Sequence, residues 1–206
     1  MSNDDGHHWI GISDLLSGFV VVMILLFVAS VALRAEQVKS AVEQQAQART
    51  DAMQGLRAEL ASFADTVTVA VDDPRVEFMD SSFASGSACL DAQAEAAIDV
   101  LAPRVRAMLD QDPSLTVYVE GHSDPSTIRR LVNACGYFND NTQLSTLRAA
   151  NVRNRLVAGM DATTRARVPV SGWGAEKLRN TTDLYAAENR RVDVRPIWPS
   201  ADVRTP

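Results

Sequence analysis

The chain has 206 residues, enough for one medium-sized domain with accessory segments, whereas two domains with full cores would be crowded. Its formal net charge of -6 gives no sequence-independent attraction to the phosphate backbones of nucleic acids, which normally needs a clustered basic face. The three histidines, His7, His8 and His122, lack metal-ligand spacing, and the sequence contains no phosphate-binding loop or nucleophile motif. We therefore expect no nucleic acid partner, no metal, no cofactor and no enzymatic activity.

An apolar segment, "WIGISDLLSGFVVVMILLFVASVAL", occupies residues 9–33. Its 19 uncharged residues from Leu15 to Leu33 span roughly 28 Å as a helix, close to the hydrocarbon thickness of a bilayer. The sequence predicts a transmembrane helix at residues 10–33 after a tail at residues 1–9. Because the leader is acidic and the apolar run is long, a retained anchor is favoured over a cleaved signal peptide.

One carboxylate, Asp14, lies at the leading edge of this segment. A charge inside hydrocarbon costs roughly 2.5 to 3.5 kcal/mol on insertion scales. Two interpretations are open: Asp14 caps the helix within the headgroups, or its charge state is the working part of the protein.

Residues 34–65 are rich in helix-forming Ala, Gln, Glu and Arg and predict a helical linker. Within it, apolar residues recur at 3-4-3 spacing at Met53, Leu56, Leu60 and Phe63. This repeat is compatible with a short coiled coil or with a spacer that lies against its own domain.

An α/β pattern fills residues 66–200, before a tail at residues 201–206. Alternating strands are predicted at "TVTVAV" (66–71), "RVEF", "SLTVYVEG" (114–121), "RVPVSGW" and "RRVDVRP". Helices are predicted at residues 91–110, with Asp91 as a cap, and 143–158, and an irregular helix before the last strand. The predicted fold is α+β, a mixed sheet covered by helices. Its two cysteines, Cys89 and Cys135, are either a disulfide or two buried thiols.

Four sequence blocks in this region carry a family resemblance. They are "VEGHSD" (119–124), "NTQLSTLRAANVRNRLV" (141–157), "VSGWGAE" (170–176) and "ENRRVDV" (188–194). Their order and spacing resemble the OmpA-like peptidoglycan-binding domain. The segment after Asp124 is longer than in typical members and contains Cys135, so a bond to Cys89 could hold a lid over the pocket. "YAAE" also stands where Gly-Arg-Ala is usual.

The resemblance implies a receptor for the diaminopimelate of a peptidoglycan stem peptide. Diaminopimelate carries an ammonium and a carboxylate on one carbon, which an anion and a bidentate cation can bind side by side. By resemblance, Asp124 takes the ammonium, Arg148 the carboxylate, and Asn141 adds a hydrogen bond. Of Arg190 and Arg191, one would line the pocket edge, and we assign that place to Arg191. The alternative is that Asp124 and Arg148 form an ordinary ion pair that pins a loop.

The N-terminal segment carries a second resemblance. Trp9, Asp14 and the small pair Ser17-Gly18, followed by the apolar stretch, resemble the transmembrane helix of MotB-type stator subunits, with the spacing of ZorB subunits of Zorya anti-phage systems. This implies that Asp14 carries H⁺ or Na⁺ and that Ser17 and Gly18 pack against a partner helix. It further implies a homodimer inside a ring of five multispanning MotA/ZorA-like subunits.

Membrane orientation follows from the implied ligand. Arg34 and Lys39 follow the apolar segment, which by the positive-inside rule would place the C-terminal part in the cytoplasm. Peptidoglycan lies outside the inner membrane, so we expect a single-pass inner-membrane protein with a cytoplasmic N-terminus and a periplasmic C-terminal domain.

Three functions remain open on the sequence. They are a Zorya-type defence stator subunit, a flagellar stator subunit and a passive anchor between membrane and cell wall. We favour the first. The sequence does not distinguish H⁺ from Na⁺, since one carboxylate serves either ion.

Overall fold

The computed structural model describes residues 5–128, 131–133 and 135–199, and for residues 5–14 and 131–133 it describes the backbone alone. The chain divides into two compact units between Arg49 and Thr50. Of the predicted terminal tails, residues 1–4 and 201–206 lie outside the described residues, whereas the backbone of residues 5–9, predicted as tail, is helical.

The first unit is formed by helix α1, Asp5–Glu59, which continues for ten further residues into the second. Its part from Leu15 onward is long and apolar enough to cross a membrane. The large apolar side chains between Leu15 and Leu33 are all exposed within the chain. Such exposure fits a helix surrounded by lipid or by a partner helix. The predicted transmembrane segment and most of the predicted linker thus form one continuous helix.

The second unit contains a five-stranded mixed sheet in the order β1-β2-β7-β3-β6. The strands are β1 Val67–Ala70, β2 Arg75–Met79, β3 Thr116–His122, β6 Val170–Gly172 and β7 Arg191–Ile197. Strands β3 and β6 are parallel and the other neighbouring pairs are antiparallel. A separate hairpin pairs β4, Leu131–Asn133, with β5, Gly136–Phe138. The predicted α+β class with a mixed sheet is confirmed.

Two long helices, α2 (Ala92–Gln111) and α3 (Asn141–Leu156), and one short helix, α4 (Ala162–Ala166), complete this unit. As predicted, the Asp91 carboxylate caps α2 by accepting from the Ala94 amide at 2.6 Å. The apolar stripes of α2 and α3 pack against alternate residues of the strands and form one core. It includes Ile98 of α2, Val119 of β3 and Val192 of β7.

The end of α1 also joins this core. Met53, Leu56 and Leu60 are 1%, 5% and 2% exposed, and Phe63 packs against them. The 3-4-3 repeat therefore faces its own domain, which is the second of the two interpretations, and leaves no apolar seam at these positions for a coiled coil.

Two glycines set the position of α3 on the sheet. A Cβ atom at Gly121 in β3 would overlap the Ser145 backbone oxygen, and one at Gly172 in β6 would overlap the Thr146 hydroxyl. Without side chains at these two points, α3 lies directly on β3 and β6.

The structure differs from the sequence expectation mainly between the long elements. The predicted strand "RVPVSGW" pairs over Val170–Gly172 only, and the predicted irregular helix is a loop that ends in a 3₁₀ turn, Ala187–Asn189. The β4–β5 hairpin and α4 were not predicted. These short segments lack the sustained periodicity by which longer elements can be recognised.

Candidate functional site

The order of the strands gathers charged residues at one edge of the sheet. Asp80 directly follows β2, Asp124 follows β3 by two residues, and Arg190 directly precedes β7. Because β7 is antiparallel to β2 and β3 and lies between them, both of their carboxyl ends meet its amino end. Met79 and His122 both lie opposite Arg191 in this register.

Asp124 is 5% exposed, and each of its carboxylate oxygens is bonded. Oδ1 accepts from the Ser126 amide at 3.1 Å, which shapes the turn after the strand. Oδ2 accepts from Nη1 of Arg190 at 2.7 Å. The carboxylate predicted to take an ammonium is therefore paired with a cation of its own chain.

Arg148, on the buried side of α3, is 4% exposed. Its Nε donates to the Ser87 carbonyl oxygen at 3.0 Å and its Nη1 to Oδ1 of Asp80 at 3.1 Å. The guanidinium carbon lies 4.8 Å from the centre of the Phe83 ring. Burial lowers the pKa of Arg148, and the neighbouring Asp80 carboxylate opposes that shift.

Arg190 connects the two acids. Its Nε donates to Oδ2 of Asp80 at 2.9 Å, while its Nη1 bonds both Asp124 and the Tyr185 carbonyl oxygen. We call Asp80, Asp124, Arg148 and Arg190 the four-charge cluster. Two carboxylates and two guanidiniums make its net charge zero, and an alternating arrangement of this kind suits a ligand that carries both charges.

Asn141, the first residue of α3, adjoins the turn after Asp124. Its Nδ2 donates to the Ser126 carbonyl oxygen at 2.9 Å. Its Oδ1 is buried and accepts no hydrogen bond from the residues that the structure describes. An incoming donor could satisfy this oxygen, which is compatible with the hydrogen bond expected from Asn141.

Arg191 was expected at the pocket edge. Its neighbour Arg190 bonds Asp124, whereas Arg191 has other partners. Its Nε donates to Asp193 at 3.0 Å and its Nη1 to the Glu188 carbonyl oxygen at 3.3 Å. The alternation of the strand explains the difference, since Arg191 points to the sheet face away from the helices. It still lines a cleft of about 490 Å³, together with Asp80 and Arg190.

A disulfide between Cys89 and Cys135 connects the β4–β5 hairpin to the segment before α2. Asn151 reinforces this connection, because its Nδ2 donates to the carbonyl oxygens of Ala88 at 2.7 Å and Cys135 at 3.3 Å. The clamped segment includes Ser87, whose carbonyl oxygen holds Arg148. The disulfide and Asn151 thus hold in place the segment whose carbonyl oxygen accepts the Arg148 hydrogen bond.

The predicted membrane residues lie in α1, which begins at Asp5, nine residues before Asp14, so the interpretation of Asp14 as the cap of this helix is wrong. The side chain of Asp14 is outside the described residues, so its role as ion carrier stays a prediction. Ser17 and Gly18 are exposed within the chain, and no atom lies within 4 Å of a Cβ built at Gly18. Space is therefore open there for a close helix neighbour.

Two members of the cluster, Asp80 and Arg190, were not assigned from sequence. The available signal was their position: an aspartate follows each of two strands within two residues, and an arginine directly precedes a third. These residues come together only when the three strands are neighbours in the sheet. Strand order was not predicted.

Solved structures of other proteins share the fold of this chain. A MotB-like protein from Desulfovibrio vulgaris has the same fold, with a TM-score of 0.59 and 21% identity over 76% of this chain and 98% of that one. The periplasmic domain of Helicobacter pylori MotB gives a TM-score of 0.50 and 14% identity over 66% and 80% of the two chains.

A further solved structure, the cell wall anchor of the T6SS from Pseudomonas aeruginosa, is 28% identical. It covers 69% of this chain and 96% of its own, with a TM-score of 0.50. No curated protein sequence matches the chain. The family model described as the OmpA family matches residues 82–191, more than half of the sequence and the segment that holds most of the four-charge cluster. The chain belongs to the OmpA family.

Proposed function

We propose that this protein is the wall-anchored stator subunit of an inner-membrane motor driven by H⁺ or Na⁺, of the Zorya defence type. The observation that carries the proposal is the four-charge cluster, on a domain of a peptidoglycan-binding family whose chain begins with a membrane-capable helix. The partners are peptidoglycan, a second copy of this chain and a ring of multispanning subunits.

The chemistry of the cluster supports wall binding. Asp124 supplies an anion for the ammonium of diaminopimelate, and Arg148 supplies donors for its carboxylate. Asp124 follows β3 by two residues and Arg148 belongs to α3, so the sheet and this helix fix their positions. Asn141 offers the same ligand its Oδ1, which accepts no hydrogen bond within the described part of the chain.

The disulfide supports the periplasmic orientation. Disulfides persist in oxidising compartments and are rare in the bacterial cytoplasm. The Cys89–Cys135 bond is therefore an argument, independent of the ligand, for a domain outside the inner membrane. It favours a cytoplasmic N-terminus although Arg34 and Lys39 follow the apolar segment.

The motor part of the proposal rests on Asp14. Moving one elementary charge through 100 mV yields about 2.3 kcal/mol, several times thermal energy. Repeated loading and release of a cation at Asp14 could therefore drive stepwise rotation of a partner ring. Wall-bound domains would hold the dimer still while the ring turns.

A passive cell-wall anchor is the second candidate function. It is favoured by the 28% identity to the cell wall anchor of the T6SS, which is higher than the identity to either MotB structure above. This function needs the four-charge cluster but makes Asp14 dispensable. A flagellar stator subunit needs both sites and differs from the defence stator in its partner genes.

Sedimentation with purified sacculi tests wall binding. We expect the full-length protein in detergent to sediment, and Asp124→Asn and Arg148→Gln to weaken binding about tenfold or more, since each removes a charged bond. Arg155→Gln is the matched control, because Arg155 is also on α3 but bonds Asp99 and Glu95 on α2.

Thermal unfolding of each variant checks that the domain is folded. If folded Asp124→Asn and Arg148→Gln proteins sediment with sacculi as strongly as the control, the proposed wall-binding site is wrong.

A further inference from the structure

The candidate receptor is already occupied in the free protein. The side chains of Asp124 and Arg148 are 6% and 5% exposed, and each charge is bonded within the chain. Arg190 donates to Asp124 at 2.7 Å, and Asp80 accepts from Arg148 at 3.1 Å. An ammonium at Asp124 and a carboxylate at Arg148 would therefore compete with these internal partners.

The two internal partners are also bonded to each other. Nε of Arg190 lies 2.9 Å from Oδ2 of Asp80. They thus present a cation and a carboxylate side by side, facing the opposite charges of Asp124 and Arg148. One end of diaminopimelate presents the same pair of charges.

We propose that the Arg190–Asp80 pair is an internal stand-in for the ligand. The ammonium and the carboxylate of diaminopimelate must displace this pair from Asp124 and Arg148 in order to bind. This inference rests on the proposed function, because it assumes that Asp124 and Arg148 are the ligand contacts. It makes Arg190 and Asp80 determinants of affinity and selectivity rather than contacts that hold the wall.

The exchange keeps every charge paired. The ligand ammonium replaces Arg190 on Asp124, and the ligand carboxylate replaces Asp80 on Arg148. The displaced Arg190 and Asp80 remain bonded to each other, so no charge in this largely buried cluster is left without a partner. A ligand that carries charges of only one sign would add a net charge to the cluster, which burial penalises.

The surroundings allow the pair to withdraw. The side chains of Arg190 and Asp80 are 29% and 35% exposed, several times more than those of Asp124 and Arg148. Both also line the cleft of about 490 Å³ on the side of the cluster that faces Arg179 and Glu188. The stand-in is thus the outer half of the cluster and has adjoining space.

Calorimetric titration of the full-length protein in detergent with meso-diaminopimelate tests the exchange. We expect Arg190→Gln and Asp80→Asn to bind about tenfold tighter than wild type, because each removes one internal competitor. Arg155→Gln should bind within twofold of wild type, and Asp124→Asn should lose binding. For wild type, cadaverine and pimelate, which lack the carboxylates and the ammoniums respectively, should show no binding at the same concentrations.

The two proposals fail differently. Unchanged or weaker binding by both Arg190→Gln and Asp80→Asn, with binding still lost in Asp124→Asn, would overturn the stand-in and leave the receptor intact. Undiminished binding by folded Asp124→Asn would overturn the receptor itself. Because Arg190→Gln leaves Asp124 without its cation, thermal unfolding is measured for each variant, and Asp80→Asn, which retains the Arg190–Asp124 bond, tests the exchange if Arg190→Gln does not fold.

Discussion

A second set of buried charges lies on the sheet face away from the helices. Although burial alone would raise it, bonds from Arg179 and Arg75 hold the pKa of Glu77 at about 2. On the same face, burial and the positive charges of Arg191, Lys177 and Arg179 lower the pKa of His122 to about 3. His122 is therefore neutral in the folded protein at physiological pH, 3.6 Å from the Asp193 carboxylate.

This lowered pKa makes the stability of the domain depend on pH. Below about pH 6.5, the unfolded chain protonates His122 whereas the folded protein does not, so stability is lost as pH falls from 6.5 toward 3. From pH 7 to 5, we expect wild type to lose about 2 kcal/mol of unfolding free energy more than His122→Gln. Urea unfolding at pH 7, 6 and 5 measures this difference.

The chosen range separates His122 from Glu77. The stability that Glu77 contributes is present above its unfolded pKa of 4.5 and is lost only as pH falls from there toward 2. It is therefore nearly constant between pH 7 and 5. If the unfolding free energies of wild type and His122→Gln fall equally between pH 7 and 5, the pKa of His122 is not lowered in the folded protein.

At the residue scale, the sequence identified half of the four-charge cluster. Asp124 and Arg148 could be assigned because each lies in a block of recognisable residues and spacing. Asp80 and Arg190 could not, because their proximity depends on β7 lying between β2 and β3, which joins parts of the chain 110 residues apart. Arg190 and Arg191 are adjacent in sequence, and only the observed register shows which one reaches the cluster.

At the element scale, the position of α3 decides whether Arg148 can reach the cluster. Gly121→Ala would place a methyl group against the backbone oxygen of Ser145, which no rotamer change can relieve. We expect α3 to shift, with a loss of about 2 kcal/mol or more of unfolding free energy. Weaker sedimentation with sacculi should accompany it. Chemical denaturation and the sacculus assay measure the two effects.

Gly55→Ala is the matched control for this substitution. Gly55 lies in α1, and no atom is within 4 Å of a Cβ built there. Alanine has a higher helix propensity than glycine, so this variant should be more stable by about 0.5 to 1 kcal/mol. Equal stability changes in the two variants would contradict the close packing of α3 on β3.

The sequence predicted the long elements better than the segments between them. Helix α2 and strand β3 have sustained apolar periodicity, and a cap marks the start of α2. The loop before β7 has no such pattern. It is built by Asn189, whose side chain is fully buried and donates to the carbonyl oxygens of Asn180, Asp183 and Leu184. These bonds join residues five to nine positions apart, a spacing that no helix or strand periodicity marks.

At the scale of the whole molecule, the proposed motor requires two separable activities in one chain. The helix-forming composition of residues 34–59 continues the apolar helix without a break, so one element carries the chain from the predicted ion site into the core of the wall-binding domain. If the chain has both an ion-carrying site and a wall-binding site, a substitution that abolishes the activity of one site should leave the activity of the other measurable.

Asp14→Asn tests the motor and separates it from a passive anchor. An amide of similar shape cannot gain and release a cation, so we expect this variant to sediment with sacculi like wild type while phage protection is lost. Asp124→Asn should show weak sedimentation. Ser30→Ala is the control within the apolar helix, because the Ser30 hydroxyl bonds only the Phe27 carbonyl oxygen one turn earlier among the described residues.

Three results of the Asp14→Asn experiment assign the three functions. Loss of phage protection with intact sedimentation supports the defence stator, whereas loss of motility instead supports a flagellar stator. If Asp14→Asn retains full activity in cells while Asp124→Asn does not, the charge of Asp14 has no part in function. The protein is then a passive tether between the membrane and the cell wall.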